Sequence, residues 1–304
     1  MRLDSLLASK HNCTRSQAAA LIRDSLVEVD GKLVTRPSFR VSEDSSLSIS
    51  KDAFIDGQLF VSRGALKLKH FLSNMHDLSL AIKPTSKSSL EALKLDIQAL
   101  IKDSVILDIG ASSGGFTQTL LAYGARLVIA QDVGSLQLDS RLRDDRRVVS
   151  LENLDLREFS ARLGVHLGVA MAASNCDSRG LHRLNQASRQ SPPAPFRPIR
   201  LTSFKPKPFD FLTCDVSFIS LHKLLDSMYP LSSNFLLLFK PQFEVGRHAK
   251  RNKRGVVVDV AAIESAQLAF VEKLKLAGAF GIHIERARPK GRVGNEEFFI
   301  FCRF

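Results

Sequence analysis

An apolar run from Val105 breaks at Asp108 into the glycine-rich turn Ile109-Gly-Ala-Ser-Ser-Gly-Gly115, then resumes as a helix-like segment from Phe116 to Ala122. That is the layout of a nucleotide-type cofactor site, because open α/β sheets bind ligands beyond the carboxyl ends of their strands. Gly110, Gly114 and Gly115 carry no side chain to hold the backbone away from a ligand. Asp132 closes the next apolar run, Arg126 to Gln131, where a neighbouring strand presents a carboxylate to a ribose hydroxyl. The spacing Asp-x-Gly-x-x-x-Gly-Gly differs from the Gly-x-Gly-x-x-Gly of dinucleotide sites and moves the expectation from NAD to S-adenosylmethionine. The alternative is a tight strand-to-helix turn that binds nothing.

Such groups need a sheet to hold them. Arg147 to Glu152 reads as a strand ahead of Asp155, Phe209 to Cys214 as one ahead of Asp215, and Asn234 to Phe239 as one ahead of Lys240. Each run ends in charge at the expected carboxyl edge, where side chains from separate strands converge on one crevice. A helix over Ala261 to Ala277 and a last strand over Glu296 to Phe304 complete the pattern. The fold class is therefore α/β, a Rossmann-like sheet with helices on both faces. Two polar stretches interrupt it: one around Lys83 to Ser89, and a Ser-, Arg- and Pro-rich span from about Gly164 to Lys207, expected as a long loop or insertion.

The first sixty residues read as a separate small α+β unit. Leu3, Leu6 and Leu7 form one face of a short helix, and Thr14-Arg-Ser-Gln17 has the form of a capping box for a second, Arg15 to Asp24. Leu26 to Val34 alternates around Asp30-Gly31, a strong hairpin signal. This pattern resembles the S4 RNA-binding domain, and the resemblance implies that Arg2, Arg15, Arg23 and Lys32 lie along an RNA backbone. Contacts of that kind position RNA without reading its sequence. The expected organisation is an S4-like domain over 1–60, a linker and first helix over 61–104, and a catalytic domain over 105–304.

Composition agrees with a two-domain protein: 304 residues, 44% of them hydrophobic, carry a net charge of +12. The charge favours a polyanionic partner. The excess sits at Arg179 to Lys207 and in the cluster Arg247, Lys250, Arg251, Lys253 and Arg254. The second cluster follows a strand end and is expected to touch phosphates, with Arg63 placed in the same role. No apolar run approaches a membrane span, and Met1-Arg-Leu-Asp-Ser is not a signal peptide, so the expected compartment is the cytoplasm. Cys13, Cys176, Cys214 and Cys302 show no paired spacing, and the histidines, His70, His76 and His182 among them, are dispersed, so no metal site is expected.

Together the segments Ser62-Arg-Gly-Ala-Leu-Lys67-Leu, Leu107-Asp-Ile-Gly-Ala-Ser-Ser-Gly-Gly-Phe-Thr117, Asp132-Val-Gly-Ser-Leu-Gln-Leu138, Asp215-Val-Ser-Phe-Ile-Ser-Leu221, Lys240-Pro-Gln-Phe-Glu-Val-Gly246 and Gly294-Asn-Glu-Glu-Phe-Phe299 resemble, in that order, the TlyA family. Members join an S4 domain to an FtsJ-like methyltransferase that modifies ribose 2′-hydroxyls of ribosomal RNA. The resemblance implies a Lys-Asp-Lys-Glu tetrad at Lys67, Asp215, Lys240 and Glu297, with Lys69 and Glu296 as the neighbours most easily mistaken for members. It implies an S-adenosylmethionine site made by Asp108, Gly110, Ala111, Ser112, Gly114, Gly115, Asp132, Val133, Asp155 and Asp215. Asp155 stands where the family more often has Asn.

A ribose 2′-hydroxyl is a poor nucleophile at neutral pH, so a base must take its proton while the oxygen is held in line with the methyl group. Lys240 is the expected base, with the ammonium of Lys67 depressing its pKa, and Asp215 and Glu297 orienting the pair. Ribosomal RNA, with a cytidine as target, or a ribosomal subunit is the expected partner. Two further readings stay open: a non-catalytic ribosome-assembly factor on the same scaffold, and a haemolysin-like activity, which finds no amphipathic basic helix to support it.

Overall fold

A computed structural model describes residues 1–74, 97–170, 207–291 and 293–304. The polar stretch at Lys83 to Ser89, residues 171–206, Cys176, His76 and His182 lie outside the described residues. The expected insertion begins later than Gly164, because the preceding helix runs on to Ala170.

The N-terminal unit packs two helices on a small antiparallel sheet. α1 (Leu3–Lys10) buries Leu3, Leu6 and Leu7, and α2 (Arg15–Arg23) buries Ala18, Leu21 and Ile22 against it. α2 starts in a full capping box: the Thr14 hydroxyl accepts the Gln17 amide at 3.2 Å, and the Gln17 side chain accepts the Thr14 amide at 2.8 Å. β1 (Val27–Val29) and β2 (Lys32–Leu33) form the expected hairpin, with Asp30 and Gly31 both at positive φ. β3 (Leu47–Ile49) pairs on the other side of β1, and β4 (Phe54–Ile55) and β5 (Gln58–Leu59) make a second hairpin.

The boundary expected between residues 60 and 61 is not a break in packing. α3 (Arg63–Asn74) sends Ala65 and Leu66 into the N-terminal core, beside Phe60, and Leu68, Phe71 and Leu72 into the core of the larger domain. One helix therefore belongs to both.

The larger domain alternates helix and strand. α4 (Ile97–Ile101), β6 (Val105–Ile109), α5 (Gly115–Ala122), β7 (Leu127–Gln131), α6 (Ser140–Arg143), β8 (Val148–Leu151), α7 (Leu156–Ala170), β9 (Phe211–Cys214), α8 (Leu225–Met228), β10 (Asn234–Phe239), α9 (Pro241–Glu244), α10 (Val260–Leu276), β11 (Phe280–Arg286) and β12 (Phe298–Arg303) follow in order. Seven strands form one sheet in the order β11-β12-β10-β9-β6-β7-β8. The five from β10 to β8 are parallel; β12 runs against them, and β11, antiparallel to β12, runs with them again. β11 was not anticipated from the sequence.

Both faces of the sheet are buried, as the near-continuous apolar runs require. Along β10, Phe235, Leu237 and Phe239 face α10 through Phe270, while Leu236 and Leu238 face the side of α3 and α5. Because β12 runs opposite to β10, with Phe298 paired to Phe239, the start of β12 lies at the same edge as the ends of the parallel strands. This reversal brings Glu297 beside Lys240.

Phe299 closes that edge, with its ring 4.6 Å from Phe71 of α3 and 5.9 Å from Phe116 of α5. Replacing this wholly buried ring, Phe299→Ala, is expected to cost about 3–5 kcal/mol of stability in urea titrations, the range for deleting a core phenylalanine. A cost under about 1 kcal/mol would show that the three-ring contact does not fasten α3 to the sheet.

Candidate active site

Three strand ends and one helix meet at the carboxyl edge of the sheet. Lys67 projects from α3, Asp215 follows β9, Lys240 follows β10 and Glu297 precedes β12. They meet as two ion pairs: Lys67 Nζ lies 2.5 Å from Glu297 Oε2, and Lys240 Nζ lies 2.6 Å from Asp215 Oδ1. Lys240 also donates to Ser217 Oγ at 3.0 Å, and Gln242 Nε2 donates to Glu297 Oε1 at 3.4 Å. Lys67, Lys240 and Glu297 are all buried. Charges that leave water in this way need partners, and here they supply one another.

The neighbours easily confused with them point elsewhere. Lys69 donates to the carbonyls of Asp52 and Phe54 in the N-terminal unit, and Glu296 pairs with Arg286 and Lys290 at the surface.

The Lys240 ammonium departs from expectation. Burial lowers its pKa, but the carboxylates of Asp215 and Glu297 raise it by more, so it is held above the ordinary lysine value rather than below it. Lys67 is paired with Glu297 rather than standing as a lone cation.

The glycine turn also works differently from the sequence reading. A Cβ on Gly110 would sit 2.8 Å from the Asp215 carbonyl oxygen, and one on Gly115 would sit 2.2 Å from Ser62 Oγ and 2.7 Å from the Ala65 amide. A Cβ on Gly114 would run into Leu138 and Leu142. The space left by the missing side chains is thus filled by protein. Gly110 lets the end of β9 approach, which places Asp215, and Gly115 lets α3 lie against α5, which places Lys67. Gln118 on α5 reinforces that join, accepting from the Val61 amide at 2.9 Å and donating to the Leu59 carbonyl at 3.1 Å.

Asp108 does not face the crevice. It is wholly buried, and its two oxygens accept from the hydroxyls of Thr117 at 2.7 Å and Thr213 at 2.9 Å. Asp155 is turned onto the first turn of α7, where it accepts the Arg157 amide at 2.8 Å. The Arg157 guanidinium beside it holds its carboxyl down to about 2. Its local bonds are explained by the helix start, so nothing in its geometry assigns it to a cofactor.

Asp132 remains at the crevice, accepting the amides of Ser112 at 2.8 Å and Gly134 at 2.7 Å, one on each oxygen. A carboxylate has about four acceptor positions, so capacity for a diol is left. Ala111 is buried in the turn, Ser112 is exposed with positive φ, and Val133 stands exposed beside Asp132. The chemistry of these residues fits S-adenosylmethionine, which carries a diol and a cationic centre: one carboxylate stands on each side of the turn, Asp132 on one and Asp215 on the other.

Several supports were not read from the sequence. Glu152, at the end of β8, accepts the amides of Leu136, Gln137 and Leu138 and so fixes the loop after Asp132. Glu244 accepts from Ser220 Oγ at 2.5 Å and the Leu221 amide at 2.8 Å, holding the loop after Asp215. In that loop Phe218 is 92% exposed at φ +66°, tilted against Phe243 with centroids 5.3 Å apart. The ring is thus held in water on a backbone conformation that side chains rarely adopt.

The residues expected on RNA divide. Arg2 and Arg15 are held by Asp4, whose carboxyl the Arg2 guanidinium brings down to about 2, and both remain largely exposed. Arg23, Lys32, Arg247, Lys250 and Arg251 are exposed. Arg63 is not: its guanidinium is enclosed between Asp24 and the Lys290 carbonyl.

Comparison with known proteins shows the family to which the chain belongs. The family model for FtsJ-like methyltransferases matches residues 60–304, and that for the S4 domain matches residues 1–46. The chain belongs to the FtsJ-like methyltransferase family. It is 30% identical to the 23S rRNA (cytidine-2′-O)-methyltransferase TlyA of Campylobacter jejuni, over 99% of this chain and 98% of that one. Identity is again 30% to the 16S/23S rRNA (cytidine-2′-O)-methyltransferase TlyA of Mycobacterium tuberculosis, over 95% of this chain and 84% of the other. A solved structure from Streptococcus thermophilus with a provisional hemolysin name shares the fold, with TM-score 0.56 and 24% identity over 100% of this chain and 88% of that one. Among the described residues, no helix is long and apolar enough to cross a membrane.

The buried Asp108 makes a test of the packing beneath the turn. Burial pushes its carboxyl up to about 6 against the two threonine hydrogen bonds. A group whose folded value lies above its unfolded one contributes most at low pH, and that contribution is lost as pH rises from about 4 through about 6. Asp108→Asn cannot ionise. Its stability relative to wild type, from urea melts, is expected to improve between about pH 4 and about pH 7. A constant difference would place the ionised carboxylate at ease in the fold.

Proposed function

We propose that the protein transfers the methyl group of S-adenosylmethionine to the ribose 2′-hydroxyl of a cytidine in ribosomal RNA. The observation that carries this reading is the meeting of Lys67, Asp215, Lys240 and Glu297 as two ion pairs, one buried and one partly buried, beside the glycine turn, in a chain of the FtsJ-like family. The names of its TlyA relatives supply the cytidine and the ribosomal RNA.

When bound, S-adenosylmethionine supplies an electrophilic methyl group and its own leaving group. The chain has to bind the ribose, align its oxygen and accept its proton. Asp132 and the exposed Ser112 and Val133 lie on one side of the turn and form the cofactor's cradle. Lys240 is the base. In the free protein Asp215 and Glu297 keep it protonated. A cation drawn against Asp215 competes for that carboxylate and lowers the lysine's proton affinity, coupling base activation to donor binding. Lys67, aligned by Glu297, holds the substrate oxygen as a hydrogen-bond donor. Phe218 offers its face to the target base once that nucleotide is turned out of its helix, a step costing a few kcal/mol. The exposed arginines of the S4 domain and of the 247–251 loop hold phosphates on either side.

The test uses labelled S-adenosylmethionine with unmethylated small and large ribosomal subunits, and maps the label to a nucleotide and to base or ribose. Label on a cytidine 2′-oxygen is the expected result; label on a base would overturn the reading. Lys240→Arg, which keeps the charge but cannot act as a base, is expected to lower kcat by about 10²–10⁴-fold with RNA binding retained. Because the raised pKa must be overcome, wild-type kcat should climb with pH across the neutral to mildly alkaline range. A flat profile with chemistry limiting would remove Lys240 from the role. Arg247→Ala and Lys250→Ala are each expected to reduce the salt slope of RNA binding by about one.

A further inference from the structure

Arg63 begins α3, four residues before Lys67, and the same helix face carries both. Its Nη2 lies 2.9 Å from Asp24 Oδ1 at the end of α2 and 2.9 Å from the Lys290 carbonyl oxygen. The Asp24 side chain is only 8% exposed and that of Arg63 24%, so neither is available as a surface phosphate contact. One nitrogen thus ties the S4 domain to a loop some 230 residues further along the chain.

That loop carries Glu297. Gly291 follows Lys290 directly, and a Cβ there would sit 2.4 Å from Glu297 Oε1, so the backbone at 291 forms the wall against which the carboxylate rests. The Gly291 amide donates to the Asn295 carbonyl at 2.9 Å, and the Ala287 amide donates to the Glu297 carbonyl at 2.8 Å. Asn295 Oδ1 in turn accepts the Val257 amide at 2.9 Å, which joins the loop to the basic segment 247–257. A displacement at Lys290 is therefore passed to the carboxylate that aligns Lys67.

The geometry points to Arg63 as a positioning residue: by bridging Asp24 and the Lys290 carbonyl it sets the 287–297 loop so that Glu297 meets Lys67, making the S4 domain a structural part of the active site. Its catalytic consequence rests on the function proposed above, but the bridge itself does not. Burial pushes the Asp24 carboxyl up, and Arg63, followed by Lys67 and Arg23, opposes that shift, with Arg63 the cation that bonds it directly.

The experiment compares full-length wild type, Arg63→Gln, Arg63→Lys and Asp24→Asn. Hydrogen exchange in the free proteins is the first readout. Arg63→Gln and Asp24→Asn are expected to speed exchange about tenfold in the segment 287–297 while core strands β6 and β10 keep their protection. Since a single nitrogen makes both contacts, Arg63→Lys should restore part of that protection. Unchanged exchange in 287–297 overturns the proposal, and so does loss of protection throughout, which would mark Arg63 as a general fold contact.

The second readout is methyl transfer to ribosomal RNA. Arg63→Gln is expected to lower kcat by about ten- to a hundredfold with KM for RNA nearly unchanged. In a Glu297→Gln background it should add little, because both changes act on the same alignment. A raised KM with unchanged kcat and a weaker salt dependence would make Arg63 an RNA contact and sink the proposal. Absence of methyl transfer by wild type would refute the proposed function alone, leaving hydrogen exchange to decide the bridge.

Discussion

The ion pair between Lys67 and Glu297 is the constraint on which the catalytic edge depends. Both groups are buried, each is the other's ion-pair partner, and they are 230 residues apart in the chain. Their meeting requires α3 to lie across the sheet at the carboxyl edge, and it requires β12 to begin there. The antiparallel pairing of β12 with β10 meets the second condition. Contacts of α3 with α5, permitted by the bare backbone of Gly115, meet the first.

α3 consequently joins two domains in a way that separate modules on a flexible tether would not. Its first turns complete the core of the S4 domain, and its later turns complete the core of the sheet. The lysine of the active site lies between these two anchorages. Movement of the S4 domain against the sheet would have to carry Lys67 with it or break one of the cores, and both are close-packed. The exposed arginines of the N-terminal unit are therefore held at a defined distance from the carboxyl edge of the sheet, as the proposed reaction requires.

Much of this was legible in the sequence. The capping box, the Asp30-Gly31 hairpin, the strands ahead of Asp132, Asp215 and Lys240, and the long helix after residue 260 depend on local periodicity and turn chemistry. β11 escaped because its Phe280-Gly-Ile-His-Ile-Glu-Arg alternation is half exposed and polar on one side, a weak signal beside the apolar central strands. The surroundings of Asp108 and Arg63 were not legible for a shared reason. Residue type and frame show that a group is charged and near the site, but not whether it turns toward the crevice or into the protein. The threonines that hold Asp108 and the aspartate that holds Arg63 lie on other elements, and pairings across elements leave no periodicity.

By itself the sequence determined the central strands, the glycine turn, the charged residue at the end of each of those strands, and the resemblance from which the tetrad was drawn. These depend on short-range patterning and on strings of residues that survive as strings. The tertiary structure alone decided how the charges pair: Lys240 with Asp215 and Lys67 with Glu297, so that the proposed base stands above rather than below its ordinary proton affinity. It also decided what the glycines are for and which arginine is enclosed. A pKa, a clash and an enclosed guanidinium are each set by distances between segments far apart in the chain, and only the fold supplies those distances.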